Sequence, residues 1–171
     1  MPLNYKSGIV EEHLTTRRFG GLFDISHMGR FILTGEEALP FLQYILTNNA
    51  AAVDPGQAQY TMFANQTGGA IDDAYLYRIE ENEYLLVVNA SNAPKDWVWL
   101  REHMKKFSRV VLEDHSRKLA MASFQGPKTK TLLEGILMET GTKLPDPGRN
   151  NVRKASIEGV PVIMARTGYT G

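Results

Sequence analysis

Two adjacent carboxylates, Asp72 and Asp73, follow a glycine pair at the start of an apolar segment, where they could carry acid–base or charge-stabilising chemistry. Residues 65–69 have the composition of a turn, and strand-like runs flank them at 57–64 and 74–79, which predicts a β-hairpin. Because successive strand residues point to opposite faces, the two carboxylates are not expected to form a facing acid/base pair. The residues alone leave open a second interpretation, in which both are turn aspartates bound to nearby backbone N–H groups.

A second group of polar residues, Asp24, Ser26 and His27, lies within four positions of the chain. A nucleophilic triad needs groups that converge from separate elements, and neighbours in sequence more often form a loop network. We therefore do not expect nucleophilic catalysis here. The other three histidines lack the spacing of metal ligands, and no metal site is predicted.

The composition excludes several classes of function. The chain has 171 residues, of which 43% are hydrophobic and 22% are charged, as in a soluble globular protein. With 19 basic and 19 acidic residues, it has no global field to attract nucleic acid or an anionic membrane. No apolar run is long enough to span a bilayer, and a cytoplasmic location is expected. The absence of cysteine excludes disulfides and thiolate metal sites.

Alternating helical and strand periodicities indicate the elements that position these residues. A strand is predicted at 29–34, followed by an amphipathic helix that begins from a capping-box pattern at Thr34 and carries Pro40 in its first turn. Strands at 57–64, 74–79 and 84–89 form a meander, and a helix with Asn92 as its N-cap leads to a strand at 110–112. The order β-α-β-β-β-α-β predicts a ferredoxin-like α+β sandwich with one additional strand.

The rest of the chain predicts part of a second α+β unit. A strand is expected at 118–124, and a helix is expected to begin near Pro127. A final hairpin is predicted from strands at 152–157 and 160–165 joined by a glycine turn. No internal repeat or low-complexity segment is present.

Six segments in the same order resemble the aminomethyltransferase family, the T-protein of the glycine cleavage system. They are residues 24–29 (DISHMG), 55–60 (PGQAQY), 68–73 (GGAIDD), 87–92 (VVNASN) followed by Lys95 and Asp96, 124–127 (FQGP) and 166–171 (RTGYTG). The resemblance implies a ferredoxin-like subdomain at 28–116 and part of a second folate-binding subdomain from 1–27 with 117–171. The chain is expected to be the N-terminal portion of such a protein, without the barrel domain that completes the family's three-domain cloverleaf.

The resemblance implies transfer of a one-carbon unit to tetrahydrofolate. The donor is an aminomethyl group on the dihydrolipoyl arm of a carrier protein, the H-protein, and ammonia is released. The family's catalytic aspartate corresponds to Asp73, which would bind the folate near N10 and N5, orient the nucleophile and stabilise developing positive charge. Asp72 is then expected to be the outward or structural partner.

Four further residues match family positions near the pterin: Met28, Tyr60, Asn89 and Tyr169. For Met28 and Tyr60, plain core packing is an equally good explanation. Asn89 is the stronger candidate, because an amide at the end of an apolar strand needs a partner, supplied by turn backbone or by a ligand.

Two alternatives to an aminomethyltransferase keep the folate site. Asn49 and Ala70 depart from the residues that relatives commonly have, which leaves open a folate-dependent demethylase or a folate-binding domain of a dimethylglycine- or sarcosine-oxidising enzyme. A non-catalytic folate-binding protein of the iron–sulfur maintenance type is the other alternative. Such relatives usually carry a cysteine in the segment that corresponds to residues 166–171, and this chain has none.

Overall fold

The computed structural model describes residues 6–138, 143–145 and 148–168. Its helices are α1 (Ile9–Arg18), α2 (Ala38–Ile45), α3 (Ala93–Met104) and α4 (Thr129–Met138), with a short 3-10 helix at Ala50–Ala52. Its strands are β1 (Gly21–Asp24), β2 (Gly29–Thr34), β3 (Gln57–Ala64), β4 (Ala70–Glu80), β5 (Glu83–Val88), β6 (Val111–Asp114), β7 (Ala122–Gln125), β8 (Val152–Ile157) and β9 (Val160–Ala165).

A five-stranded sheet in the order β3-β4-β5-β2-β6 is the centre of the molecule, and all of its neighbouring strands are antiparallel. Strands β4, β5, β2 and β6 with helices α2 and α3 have the split β-α-β order of a ferredoxin-like fold, and β3 adds an outer strand. The predicted α+β fold class, including the additional strand, is confirmed.

Helices α2 and α3 cover one face of this sheet. Alternate residues of the strands point toward the helices, and they include Phe31, Leu33, Leu76 and Leu86. From the helix layer, Leu100 and its neighbours pack against them. This core makes the sheet a rigid support for the residues at the strand ends.

The other described strands form two separate two-stranded sheets. Strands β1 and β7 form an antiparallel pair, and β8 and β9 form a hairpin. The hairpin contacts the other face of the large sheet through Val152, which lies in a second apolar cluster with Tyr77 and Val87. Tyr75 Oη, on that face, donates a hydrogen bond to Asn150 Oδ1 at 2.6 Å.

The start of α2 differs from the predicted capping box. Thr34 is the last residue of β2, and the helix begins at Ala38 with no side-chain cap at Glu37. The Glu37 carboxylate instead accepts hydrogen bonds from the backbone N–H groups of Ser108 and Arg109, at 2.8 and 2.6 Å. A tertiary partner has replaced the local cap, while Pro40 lies in the first turn as predicted.

Several element bounds also differ from the prediction. Strand β4 begins at Ala70 rather than 74, and β7 begins at Ala122 rather than 118. Strand β5 ends at Val88, which places Asn89 just beyond it. Helix α1 and strand β1 were not predicted, because α1 buries no residue and β1 has only four residues.

Candidate functional site

An asparagine turn sets the start of β4. Asn65 Oδ1 accepts hydrogen bonds from the backbone N–H groups of Thr67 and Gly69, at 3.0 and 2.8 Å. Gly68 has φ +84°, a conformation that a side chain would strain. Because pairing with β3 resumes at Ala70, Asp72 and Asp73 lie inside a strand. The interpretation of both residues as turn aspartates is therefore wrong.

Asp72 and Asp73 point to opposite faces of the sheet, as the alternation predicts. Asp72 is on the helix side with Ala74 and is only 7% exposed. Asp73 is half-buried on the other side, opposite Met62 of β3. Asp72 was expected to be an outward or a structural partner, and it does not point outward, because the strand register turns its side chain toward the helix layer. Asp72 is buried and Asp73 is the more accessible carboxylate.

The Asn89 side chain joins the two carboxylates. Its Nδ2 donates to Asp72 Oδ1 at 2.9 Å and to Asp73 Oδ1 at 2.7 Å. Only the nitrogen of an amide can donate to a carboxylate, so these contacts determine the orientation of the amide. Among the described residues, no hydrogen bond reaches Asn89 Oδ1, which leaves an acceptor beside the Asp73 carboxylate.

Asn92 is at the predicted N-cap position of α3, with Pro94 just inside the helix, but its side chain makes no cap hydrogen bond. Asn92 Nδ2 donates instead to Asp72 Oδ1 at 2.8 Å. Lys95 Nζ donates to the carbonyl of Ile71 at 2.6 Å. The first turn of α3 is therefore anchored to β4 by side chains on both elements.

Two of the carboxyl groups have opposite pKa shifts. Burial opposes ionisation of Asp72, but hydrogen bonds from Asn89, Asp96 and Asn92 outweigh burial and hold its pKa below the usual value. Burial raises the pKa of Asp96 to about 7, and the hydrogen bond and negative charge of Asp72 add to this rise. The site thus contains one readily ionised buried carboxyl group and one that holds its proton near neutral pH.

An aromatic surface extends from Asp73 along the face of the large sheet that points away from α2 and α3, which we call the open face. Tyr60 of β3 is 52% exposed, and its ring centroid is 6.3 Å from that of Tyr75. The Tyr75 and Tyr77 centroids are 5.3 Å apart, and Met62 is 37% exposed. Tyr60 and Met62 provide an exposed apolar surface of the kind that packs against a planar heterocycle.

The remaining residues predicted to contact the pterin differ in how exposed they are. Tyr60 is too exposed for the core-packing explanation, whereas Met28 is half-buried and packs against the second apolar cluster. Tyr169 lies outside the described residues. Contact of these residues with a ligand stays a prediction.

The prediction did not assign roles to Tyr75, Met62 and Asp96. A signal for the first two was present, because Tyr75 is two positions from Asp73 on the same strand face and Met62 follows Tyr60 at the same spacing. Asp96 follows one of the six segments that resemble the family, but its spacing did not indicate that it is buried. Its position in the core depends on how α3 packs on β4.

The loop that contains His27 has no catalytic triad. Asp24 Oδ1 accepts a hydrogen bond from the Ser26 backbone N–H at 2.9 Å, and Ser26 Oγ exchanges hydrogen bonds with the backbone of Met121. The loop-network interpretation is confirmed. In the described part of the chain, no group of three or more His, Asp or Glu side chains could hold a metal ion.

A wide cleft lies apart from the Asp73–Asn89 site, which contributes none of its lining residues. Helix α1, strands β1 and β7 and residues 164–168 line it, with exposed apolar side chains such as Leu22. No described helix has the length and apolar character needed to cross a membrane.

The fold matches those of two proteins of known structure. The structure matches the crystal structure of glycine cleavage system aminomethyltransferase T from Bartonella henselae with a TM-score of 0.83 and 31% sequence identity, over 99% of this chain and 44% of that chain. A chain of the heterotetrameric sarcosine oxidase from Corynebacterium sp. U-96 matches with a TM-score of 0.59 over 87% of this chain and 71% of that chain. At 14% identity this second match shows the fold alone.

The chain belongs to the GCVT N-terminal domain family, whose model matches residues 1–171. It is 50% identical to an aminomethyltransferase of Thermus thermophilus, over the whole of this chain and 48% of that relative. It is 44% identical to an aminomethyltransferase of Chlorobium chlorochromatii, over the whole of this chain and 46% of that relative. The chain thus spans about half the length of the curated relatives it matches.

Proposed function

We propose that the chain carries the folate site of an aminomethyltransferase of the glycine cleavage system. The reaction transfers a one-carbon unit from the aminomethyl group on a dihydrolipoyl carrier, the H-protein, to tetrahydrofolate and releases ammonia. The observation that carries the proposal is the hydrogen bond between Asn89 and Asp73 on the sheet face that carries the exposed ring of Tyr60, in a chain of this family. Tetrahydrofolate supplies the nucleophilic nitrogen.

Asp73 is the proposed catalytic residue. Its Oδ1 accepts from Asn89, and the half-buried carboxylate has further capacity to accept hydrogen bonds from a ligand. In this position it orients the folate near N10 and N5 and stabilises the positive charge that develops as C–N bonds exchange. Asp72 is buried on the opposite face and is the structural partner.

The residues around Asp73 fit a pterin. Asn89 Oδ1 is an acceptor for ring N–H groups, because Nδ2 is committed to the two carboxylates. The half-exposed ring of Tyr60 and the partly exposed Met62 offer apolar contact on the same sheet face. Met28 and Tyr169 are further proposed contacts.

The proposal includes the carrier protein, the donor group and a cytoplasmic location. It also includes two subdomains: a ferredoxin-like one at 28–116, and a second one formed by 1–27 with 117–171. The hairpin of β8 and β9 supports contact between the two units, because Val152 packs in the apolar cluster on the open face of the large sheet.

A calorimetric titration of the chain with tetrahydrofolate tests the site. We expect saturable binding that weakens about 10- to 100-fold in Asp73→Asn, since a hydrogen bond to a charged group is worth about 1.5–3 kcal/mol. Asp54→Asn is the matched control, because Asp54 is exposed in the turn before β3 and its change should leave affinity unaltered.

Circular dichroism establishes that each variant is folded. Absence of binding by the folded wild-type chain would show that these residues do not suffice for a folate site. Equal affinities of wild type and Asp73→Asn would show that Asp73 is the wrong carboxylate.

A further inference from the structure

Asp96 is a fully buried carboxyl group to which the proposed reaction gives no task. It lies in the first turn of α3 and is 0% exposed. Within the described residues, neither of its side-chain oxygens has a donor from which to accept a hydrogen bond. An ionised carboxylate in such surroundings is strongly destabilising, so the group needs another way to be satisfied.

Asp72 is the opposite case, because donors surround it. Its Oδ1 accepts from Asn89 and Asn92, and its Oδ2 accepts from the Asn89 backbone N–H at 3.4 Å. Asp96 lies one helical turn after Asn92, whose side chain binds Asp72, and this places the buried Asp96 carboxyl group close to that of Asp72. Two carboxyl groups can share a hydrogen bond only when one of them carries a proton, and no other described group offers the Asp96 oxygens a partner. Since the amides favour the ionised form of Asp72, the proton resides on Asp96.

We propose that Asp96 is a positioning residue of the folate site: as a neutral carboxylic acid it donates a hydrogen bond to Asp72, which holds the Asn89 amide against Asp73. The functional part of this inference rests on the proposed function. The chain of contacts passes from α3 through a buried side chain of β4 to the open face of the sheet. Asp96 thus acts on Asp73 only through Asp72 and Asn89.

The charges around Asp96 favour its neutral, protonated form. Asp72 and Asp73 on β4 disfavour its ionisation, and Lys95 on its own helix favours it. The Lys95 ammonium is held by the Ile71 carbonyl at 2.6 Å. Burial is the largest effect and raises the pKa of Asp96 to about 7, so the donated proton is lost just above neutral pH.

Loss of that proton would place two negative charges side by side in the core. Asp72 would then lose the hydrogen bond that Asp96 donates, and the two carboxylates would repel each other. The Asn89 amide, which donates to both Asp72 and Asp73, would shift as a result. The affinity for tetrahydrofolate is therefore expected to fall as the pH rises through 7, at most about tenfold for each pH unit above the midpoint.

Nuclear magnetic resonance of the ligand-free chain tests the positioning role without folate. The carboxyl carbon of Asp96 reports its proton, and the side-chain amide signals of Asn89 report the position of that group. We expect both to titrate with one midpoint near pH 7. An Asp96 midpoint near its ordinary pKa of 3.8, or Asn89 signals that do not follow Asp96, would overturn the proposal.

Two substitutions separate hydrogen-bond donation from packing. Asp96→Asn keeps a donor toward Asp72 at every pH, so the Asn89 signals should stay near their low-pH positions and no longer titrate near neutral pH. Asp96→Leu removes the donor at similar volume and should displace the Asn89 signals at all pH values. If Asp96→Leu does not fold, the comparison of Asp96→Asn with wild type still decides.

Tetrahydrofolate titrations of wild type and Asp96→Asn at about pH 6 and about pH 8 complete the test. We expect about a tenfold loss of affinity at the higher pH in wild type only, and Asp96→Asn corrects for any titration of the folate itself. Linked titration of Asp96 and Asn89 without folate binding would support the positioning role and contradict the proposed function. Binding with equal pH dependence in both proteins would overturn the positioning role.

Discussion

Asn89 connects two carboxylates that the alternation of a strand separates. Because it follows the last residue of β5, its amide lies at the end of this inner strand and reaches Asp72 on one face and Asp73 on the other. The two aspartates consequently differ in burial and in number of partners. Asp72 is a structural acceptor, and Asp73 is left with capacity for a ligand.

This difference predicts unequal effects on stability. Asp72→Ala removes the acceptor of two half-buried amides and the partner of Asp96, and we expect the free energy of unfolding to fall by about 2–3 kcal/mol. Asp73→Ala removes one acceptor at a half-buried position and should cost less than about 1 kcal/mol. Urea denaturation measures both, with exposed Asp54→Ala as the control. Equal losses at positions 72 and 73 would contradict the assigned roles.

Among the elements, the loop between β1 and β2 depends on one buried side chain. Arg30, which is 2% exposed, donates from Nη1 to the Ser26 and Met28 carbonyls and from Nη2 to the Ser116 carbonyl. One guanidinium thus ties two loops to the start of β2. Its planar array of donors suits three acceptors in different directions, which a lysine ammonium matches poorly.

We expect Arg30→Met to lower the free energy of unfolding by at least about 2 kcal/mol, because the variant leaves these carbonyls without their donor. Hydrogen exchange at the Ile25 and Met28 amides, both hydrogen-bonded in this loop, should also accelerate. Arg109→Met is the control, since Arg109 forms an exposed ion pair with Glu36 and should change stability by less than about 0.5 kcal/mol. Unchanged exchange in Arg30→Met would show that the loop is held by other contacts.

In the molecule as a whole, the raised pKa of Asp96 makes folding depend on pH. In the unfolded chain this carboxyl group ionises near its ordinary pKa of 3.8, whereas in the folded protein it keeps its proton to about 7. Folding therefore binds a proton between these values, and the contribution of Asp96 to stability is lost as the pH rises from about 4 to 7. The lowered pKa of Asp72 acts in the opposite sense, and its contribution is lost only in stronger acid.

Asp96→Asn should remove this loss of stability, because the amide does not titrate. Urea denaturation of wild type and variant at about pH 5 and about pH 8 measures the effect. We expect the stability of wild type relative to the variant to be lower at the higher pH than at the lower one. The same difference at both pH values would mean that Asp96 has an ordinary pKa in the folded protein.

The order and type of the elements in the large sheet could be predicted from residue spacing, and the six segments that indicate the family could be read directly from the chain. Both are local properties, since the spacing of apolar residues specifies a helix or a strand wherever the element lies. The alternation of β4 also predicted that Asp72 and Asp73 face apart.

Residue spacing could not indicate which face is buried, that Asn92 binds Asp72 rather than capping its helix, or that Asp96 lies in the core close to Asp72. The physical reason is that such contacts depend on strand register and on the packing of α3 against the sheet. Such contacts join residues that are far apart in the sequence, and no periodic pattern in the sequence links them.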